Sequence, residues 1–195
     1  MIKSIFVLAA CLLFAAVGAS AAPVTGLKSG LFEPARVAPA IGLQGSEGKP
    51  FDLAKYRGKV VVLEFGYTHC TEVCPVSLAA LAEARKLLGA DAARLQVVFI
   101  TVDPARDTVA RLKGYLAHFD PSFIGVTGNA AQVDAVLKAY GIGAKRMAGG
   151  SDAGYMMPHS SYLYFVDTHG MLRALMPFGR PATDIAHDVQ LLLRN

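Results

Sequence analysis

Two short, mostly apolar runs dominate the chain: Val-Val-Val-Leu-Glu-Phe at 60–65 and Leu-Gln-Val-Val-Phe-Ile-Thr-Val at 95–102. Their β-branched character predicts strands buried on both faces of a sheet. Between them Leu78, Leu81, Ala82, Ala84, Leu87 and Leu88 recur at helical spacing up to Gly89, with Pro75 suited to the first helical position. A second helix is predicted over about 108–118 and a short strand over 123–126. A third helix, capped by Asn129, carries Val133, Val136, Leu137 and Tyr140. Segments 162–166 and 171–176 flank Asp167-Thr168-His169-Gly170 and predict a hairpin. Thr183 then caps a terminal helix through Leu193. The order β-α-β-α-β-α-β-β-α describes an α/β sandwich built on a mixed sheet flanked by helices.

The ends and connections add context. Residues 1–22 have the three parts of a secretory signal: Lys3, an apolar core over 5–17, and the small residues Ala19-Ser20-Ala21. Cleavage after Ala21 or Ala22 gives a soluble, exported, periplasmic protein. The alternative is retention as an N-terminal membrane anchor, but Gly18 and Ser20 interrupt a run that is short of the ~20 residues a spanning helix needs. Leu8-Ala9-Ala10-Cys11 resembles a lipoprotein-processing box, yet too little apolar sequence precedes it. Residues 23–39 read as a flexible lead-in and 40–195 as one domain. The Gly-rich stretch 141–158 is long enough to be a functional loop. Net charge is +4, or +3 once Lys3 is removed, and it is dispersed. Without a Lys/Arg run or a basic, aromatic-interleaved strip, nucleic acid is excluded as a partner.

The chemistry concentrates on cysteine. Of three in the chain, Cys11 falls in the leader, which leaves Cys70 and Cys74 with no structural disulfide to compete for them. They open the helix after the first buried strand, the chain order of a thioredoxin-like domain. Unpaired N–H groups at a helix entry favour thiolate, and three intervening residues put both sulfurs on one side, a helical turn apart. Such a pair can close a disulfide, which persists in an exported protein, or chelate a soft cation. Among five histidines, His118, His169 and His187 sit at a helix end, in a hairpin turn and on the terminal helix, and His69 is awkwardly adjacent to Cys70. His159 differs, because it enters the strand at Tyr162, which in a thioredoxin-like sheet packs beside the cysteine turn. Two thiolates and one imidazole suit Cu(I), and can also hold Cu(II) or Zn(II). Met156 and Met157, with Met147 further up the loop, add soft thioethers nearby or simply fill gaps.

Gly66-Tyr67-Thr68-His69-Cys70-x-x-Val73-Cys74-Pro75, then Thr101-Val102-Asp103-Pro104-x-Arg106-Asp107-Thr108, then His159-Ser160 before a strand, resembles the Sco/SenC family from about Phe51 to the C-terminus. The resemblance implies a thioredoxin-fold copper chaperone of cytochrome c oxidase assembly, which delivers copper to the dinuclear site of subunit II, keeps that site's cysteines reduced, or both. It implies Cys70, Cys74 and His159 as the copper ligands, and Asp103 either beside the site or capping the turn into Pro104. The implied partners are subunit II or another cuproprotein, a copper donor protein, and a thiol reductant that keeps the pair open. Two positions depart from the family pattern: Glu72 stands where Asp is usual, and Pro158 where an Asp often precedes the histidine. The competing reading is an enzyme, a thiol–disulfide oxidoreductase whose redox-active Cys70/Cys74 couple reduces a partner. A peroxidase would need a cation beside an activated thiolate, and no arginine is obviously placed for that.

Overall fold

The computed structural model describes residues 24–149 and 154–195. The leader expected over 1–22 lies outside them. Strand β1 is Gly30–Val37, β2 Gln44–Gly45, β3 Val60–Gly66, β4 Leu95–Thr101, β5 Ile124–Thr127, β6 Met147–Ala148, β7 Tyr155–Met156, β8 Tyr162–Val166 and β9 Met171–Pro177. Helix α1 is Val73–Leu87, α2 Val109–Ala117, α3 Ala130–Tyr140 and α4 Ala182–Arg194. Seven strands form one mixed sheet in the order β1-β9-β8-β3-β4-β5-β2, and β6 and β7 form a separate ribbon. Strands β3, β4 and β5 run parallel, while β8 lies antiparallel on the other side of β3.

The two apolar runs are the central strands, and alternation sends each to both faces. Val60 and Val62 with Val97 and Phe99 meet α1, α2 and α4 through Leu78, Leu81, Leu112 and Val189. Val61, Leu63 and Phe65 with Val98 and Ile100 meet α3 through Val133, Val136 and Tyr140. The result is a three-layer, thioredoxin-like sandwich with β3 at its centre. Its C-terminal end delivers the chain straight into the Tyr67–Cys74 turn and α1.

Local signals explain most boundaries. Asn129 caps α3 by accepting from the Gln132 N–H, and the Gln132 side chain accepts the Asn129 N–H in return. The Thr108 hydroxyl caps α2. Helix α1 begins two residues before Pro75, which still occupies the first turn, where N–H groups have no intrahelical partner. Helix α4 begins at Ala182 behind Pro181, so Thr183 lies inside it rather than at its cap.

The segment expected to be a loose lead-in over 23–39 instead contributes edge strand β1, paired antiparallel to β9 with a register shift between Leu31 and Arg36. Pro34 falls within that irregularity, where an edge strand tolerates it. The Lys28 and Ser29 N–H groups donate to the fully buried Asp188 carboxylate on α4 at 2.8 and 2.9 Å, fixing the approach to the strand.

Candidate metal centre

Gly66 ends β3 against the thiol pair. A Cβ at Gly66 would stand 2.7 Å from Cys74 Sγ and 2.8 Å from the Phe99 ring, so only glycine admits both. The following turn is held by a buried carboxylate. Asp107 accepts the Thr68 N–H at 3.1 Å, the Thr68 hydroxyl at 2.6 Å and the Thr101 hydroxyl at 2.7 Å. Arg111 Nε in turn donates to Thr68 Oγ1 at 3.0 Å. This network fixes the loop that presents Cys70.

Cys70 is half-buried and Cys74 fully buried behind it. The Cys74 thiol donates to Cys70, and the backbone N–H groups of Cys74, Glu72 and Val73 converge on the same sulfur. Together they outweigh burial and pull the Cys70 thiol down to about 5. Cys74 moves the other way, since donating to Cys70, burial and the neighbouring Glu64 all favour its protonated form. Burial pushes the Glu64 carboxyl well above the usual range, against a hydrogen bond from Ser77. The pair is thus a half-buried thiolate backed by a fully buried, protonated thiol.

His159 reaches the pair from the far side of the cleft. Its backbone bridges Ala144, flanked by bonds from Lys145 N–H to the Pro158 carbonyl at 3.1 Å and from Ser160 N–H to the Gly143 carbonyl at 3.0 Å. His159 Nδ1 lies 3.0 Å from the Ser160 carbonyl, which can only accept. That contact assigns the proton to Nδ1 and leaves the Nε2 lone pair free to bind. Pro158 has therefore not left the imidazole unsupported, because a main-chain oxygen orients it. The Tyr67 ring meets the imidazole edge-on at 6.0 Å.

Nε2 lies 3.8 Å from Cys74 Sγ, and the Cys74 N–H lies 3.5 Å from Cys70 Sγ. A metal bonded to sulfur at about 2.3 Å and to imidazole nitrogen at about 2.05 Å, with about 120° between the bonds, separates those donors by about 3.8 Å. The donor set and this separation fit copper. Among the described residues no three such donors stand grouped closely enough to hold a metal ion, while Cys74 contacts both Cys70 and His159. A cleft of about 380 Å³, lined by Tyr67, Cys70, Glu72, Met156, Met157 and His159, gives access.

The remaining histidines stay apart from this cleft. His69 turns to the Thr68 hydroxyl, His169 to Thr168, and His187 to Asp188, while His118 caps α2. Asp103 does not line the cleft. It pairs with Arg106 and accepts from the Tyr155 hydroxyl at 2.8 Å, tying the loop ahead of His159 to the end of β4. Neither the Asp107 anchor nor the Tyr155 tie was assigned from sequence. Asp107 lies inside the Asp-Pro-x-Arg-Asp-Thr string, which is the available signal.

The SCO1/SenC family model matches residues 32–194. The chain belongs to the SCO1/SenC family. Its relatives include an SCO2-like protein of Rickettsia conorii, 40% identical over 124 residues, which are 63% of this chain and 60% of that protein. The chain thus matches less than two thirds of the length of such relatives. Among solved structures, ScoI of Bradyrhizobium japonicum with copper bound has a TM-score of 0.73 at 33% identity, covering 80% of this chain and 99% of that one. ScoI of Arabidopsis thaliana with copper bound has a TM-score of 0.75 at 26% identity, covering 82% and 99%. No helix among the described residues is long and apolar enough to cross a membrane.

Proposed function

We propose that this SCO1/SenC protein is a copper-binding chaperone that holds one Cu(I) on Cys70, Cys74 and His159. It delivers that copper to, or maintains the thiols of, the dinuclear site of cytochrome c oxidase or another cuproprotein. The observation that carries the reading is the 3.8 Å approach of His159 Nε2 to Cys74 Sγ across the cleft. The copper-bound relatives support the choice of cargo. Cys70 offers a ready thiolate, Cys74 gives up its proton on binding, and His159 presents a lone pair fixed by the Ser160 carbonyl. Release proceeds by ligand exchange: a target thiolate, thioether or imidazole enters the open cleft and displaces these donors one at a time. The signal-like residues 1–22 support export to the periplasm, where a thiol reductant must keep the pair open.

The same asymmetry favours a second reading, thiol–disulfide exchange. Cys70 is the accessible attacker and Cys74 the buried resolver. Attack on a partner's disulfide forms a mixed disulfide. Cys74 then closes the Cys70–Cys74 bond and displaces the partner's second sulfur, so that two electrons pass to the partner and its two thiols take one proton from Cys74 and one from solvent.

Anaerobic Cu(I) titration of the reduced protein against a competing chelator separates the two. The chaperone reading expects one tightly held copper, lost in Cys70→Ser and Cys74→Ser and weakened in His159→Ala. Weak binding indifferent to His159 leaves the exchange reading in its place.

A further inference from the structure

Sequence order sets Met156 beside Met157, but the fold pairs Met156 with Met147. The two are directly opposed across the β6–β7 ribbon, in a register that continues the Ala144–His159 bridge. Opposed residues of an antiparallel pair project from the same face, with Cβ atoms about 4.5–5.5 Å apart. Two unbranched, flexible thioethers at that spacing can meet on one ion. Met157 is different: it is partly buried and packs on the core beneath α3.

The ribbon's orientation is fixed from its other face. The Tyr155 hydroxyl donates to Asp103, and its ring lies between the guanidinium groups of Arg106 at 3.6 Å and Arg146 at 3.8 Å. Strand alternation then turns Met156 away from Tyr155 and onto the cleft that also holds Cys70 and His159. Met147 and Met156 are 46% and 44% exposed, so packing does not account for them. Thioether sulfur is a soft donor that selects Cu(I), and being neutral it binds less strongly than thiolate.

We infer that Met147 and Met156 form a second, weaker Cu(I) site on the rim of the cleft, where the cargo lands before it passes to Cys70, Cys74 and His159. This inference rests on the copper-chaperone reading. Along the route no electron moves and copper stays Cu(I). Each thioether–copper bond breaks as a thiolate or imidazole bond forms, and the Cys74 proton leaves to solvent. The step from neutral thioether to anionic thiolate gives the transfer its direction.

The test uses the reduced, full-length folded protein with isotopically labelled methionine methyls, titrated anaerobically with Ag(I) as a redox-inert substitute for Cu(I). In the Cys70→Ser/Cys74→Ser protein the first equivalent is expected to shift the Met147 and Met156 methyl resonances and leave Met157 and Met176 in place. In wild type the second equivalent is expected to do the same. Alongside, Cu(I) loading from a chelator complex is followed by stopped flow. Met147→Leu/Met156→Leu is expected to load roughly tenfold more slowly, the effect of about 1.4 kcal/mol on a barrier. Methyls that do not respond, or loading at the wild-type rate, overturns the rim site while a retained single copper leaves the chaperone reading standing. A wild-type protein that holds no copper overturns the chaperone reading and the transfer route with it.

Discussion

Replacing Gly66 with alanine tests the close packing behind the thiol pair. The new methyl would lie 2.7 Å from Cys74 Sγ and 2.8 Å from two atoms of the Phe99 ring, where ordinary contact begins at 3.4 Å. Something must retreat by about 0.7 Å, and neither neighbour has an easy exit, since Cys74 and Phe99 are fully buried. Overpacking of this kind costs about 1–3 kcal/mol. For a domain of this size each kcal/mol lowers Tm by about 2–4 °C, giving an expected drop of about 2–12 °C. Pushing Cys74 Sγ off its position also disturbs its approach to His159, and Cu(I) affinity is expected to fall by about tenfold or more. Gly114→Ala is the matched control. Nothing lies within 4 Å of its added Cβ, and it sits within α2, where alanine is favoured by about 0.5–1 kcal/mol. Thermal unfolding and chelator competition on both variants give the answer. The reasoning fails if Gly66→Ala melts and binds like wild type, or if Gly114→Ala loses as much stability.

Three further outcomes follow from the site. With its thiol at about 5, Cys70 holds roughly a hundred thiolates per thiol at pH 7, so its alkylation rate by iodoacetamide should reach half-maximum near pH 5. Cys74→Ala, which removes the main cause, should move that midpoint up, whereas a wild-type midpoint near 8.5 contradicts the assignment. Because Cys70 is already ionised and Cys74 is not, copper uptake between pH 7 and 8 should release about one proton, tightening Kd roughly tenfold per pH unit; a hundredfold change would mean both thiols start protonated. Asp107→Asn sets an amide donor against the Thr68 and Thr101 donors, and hydrogen bonds to a charged group contribute about 1.5–3 kcal/mol each. The variant should lose about 2–4 kcal/mol in urea unfolding and bind Cu(I) more weakly, and wild-type values in both would remove Asp107 as the anchor of the cysteine turn.

What was legible in the sequence was what the chain encodes locally or by burial. Strands β3 and β4 announce themselves because both faces are covered and all buried positions but Glu64, Gln96, Thr101 and Gly66 carry apolar side chains, and the Asn129–Gln132 box marks its helix unaided. Strand β1 carries no such signal. It is an exposed edge held by main-chain bonds to β9 and by Asp188 from the far end of the chain. The β6–β7 ribbon escaped notice for a similar reason, since its two-residue strands are fixed by Tyr155 between two arginines and not by a buried face. At the site, Cys70 and Cys74 are one turn apart and readable together, while His159, 85 residues beyond Cys74, could be brought in only through the expected fold. Asp107 stayed silent because its donors at Thr68 lie 39 residues upstream, and nothing in the spacing ties a carboxylate to them.

The central claim is that Cys70, Cys74 and His159 hold copper together, and copper X-ray absorption on the anaerobically Cu(I)-loaded protein tests it most directly. The account expects two sulfur scatterers at about 2.3 Å and one imidazole nitrogen at about 2.0 Å, with the imidazole signature gone in His159→Ala. A spectrum that contains no imidazole, or one unchanged by His159→Ala, would contradict it.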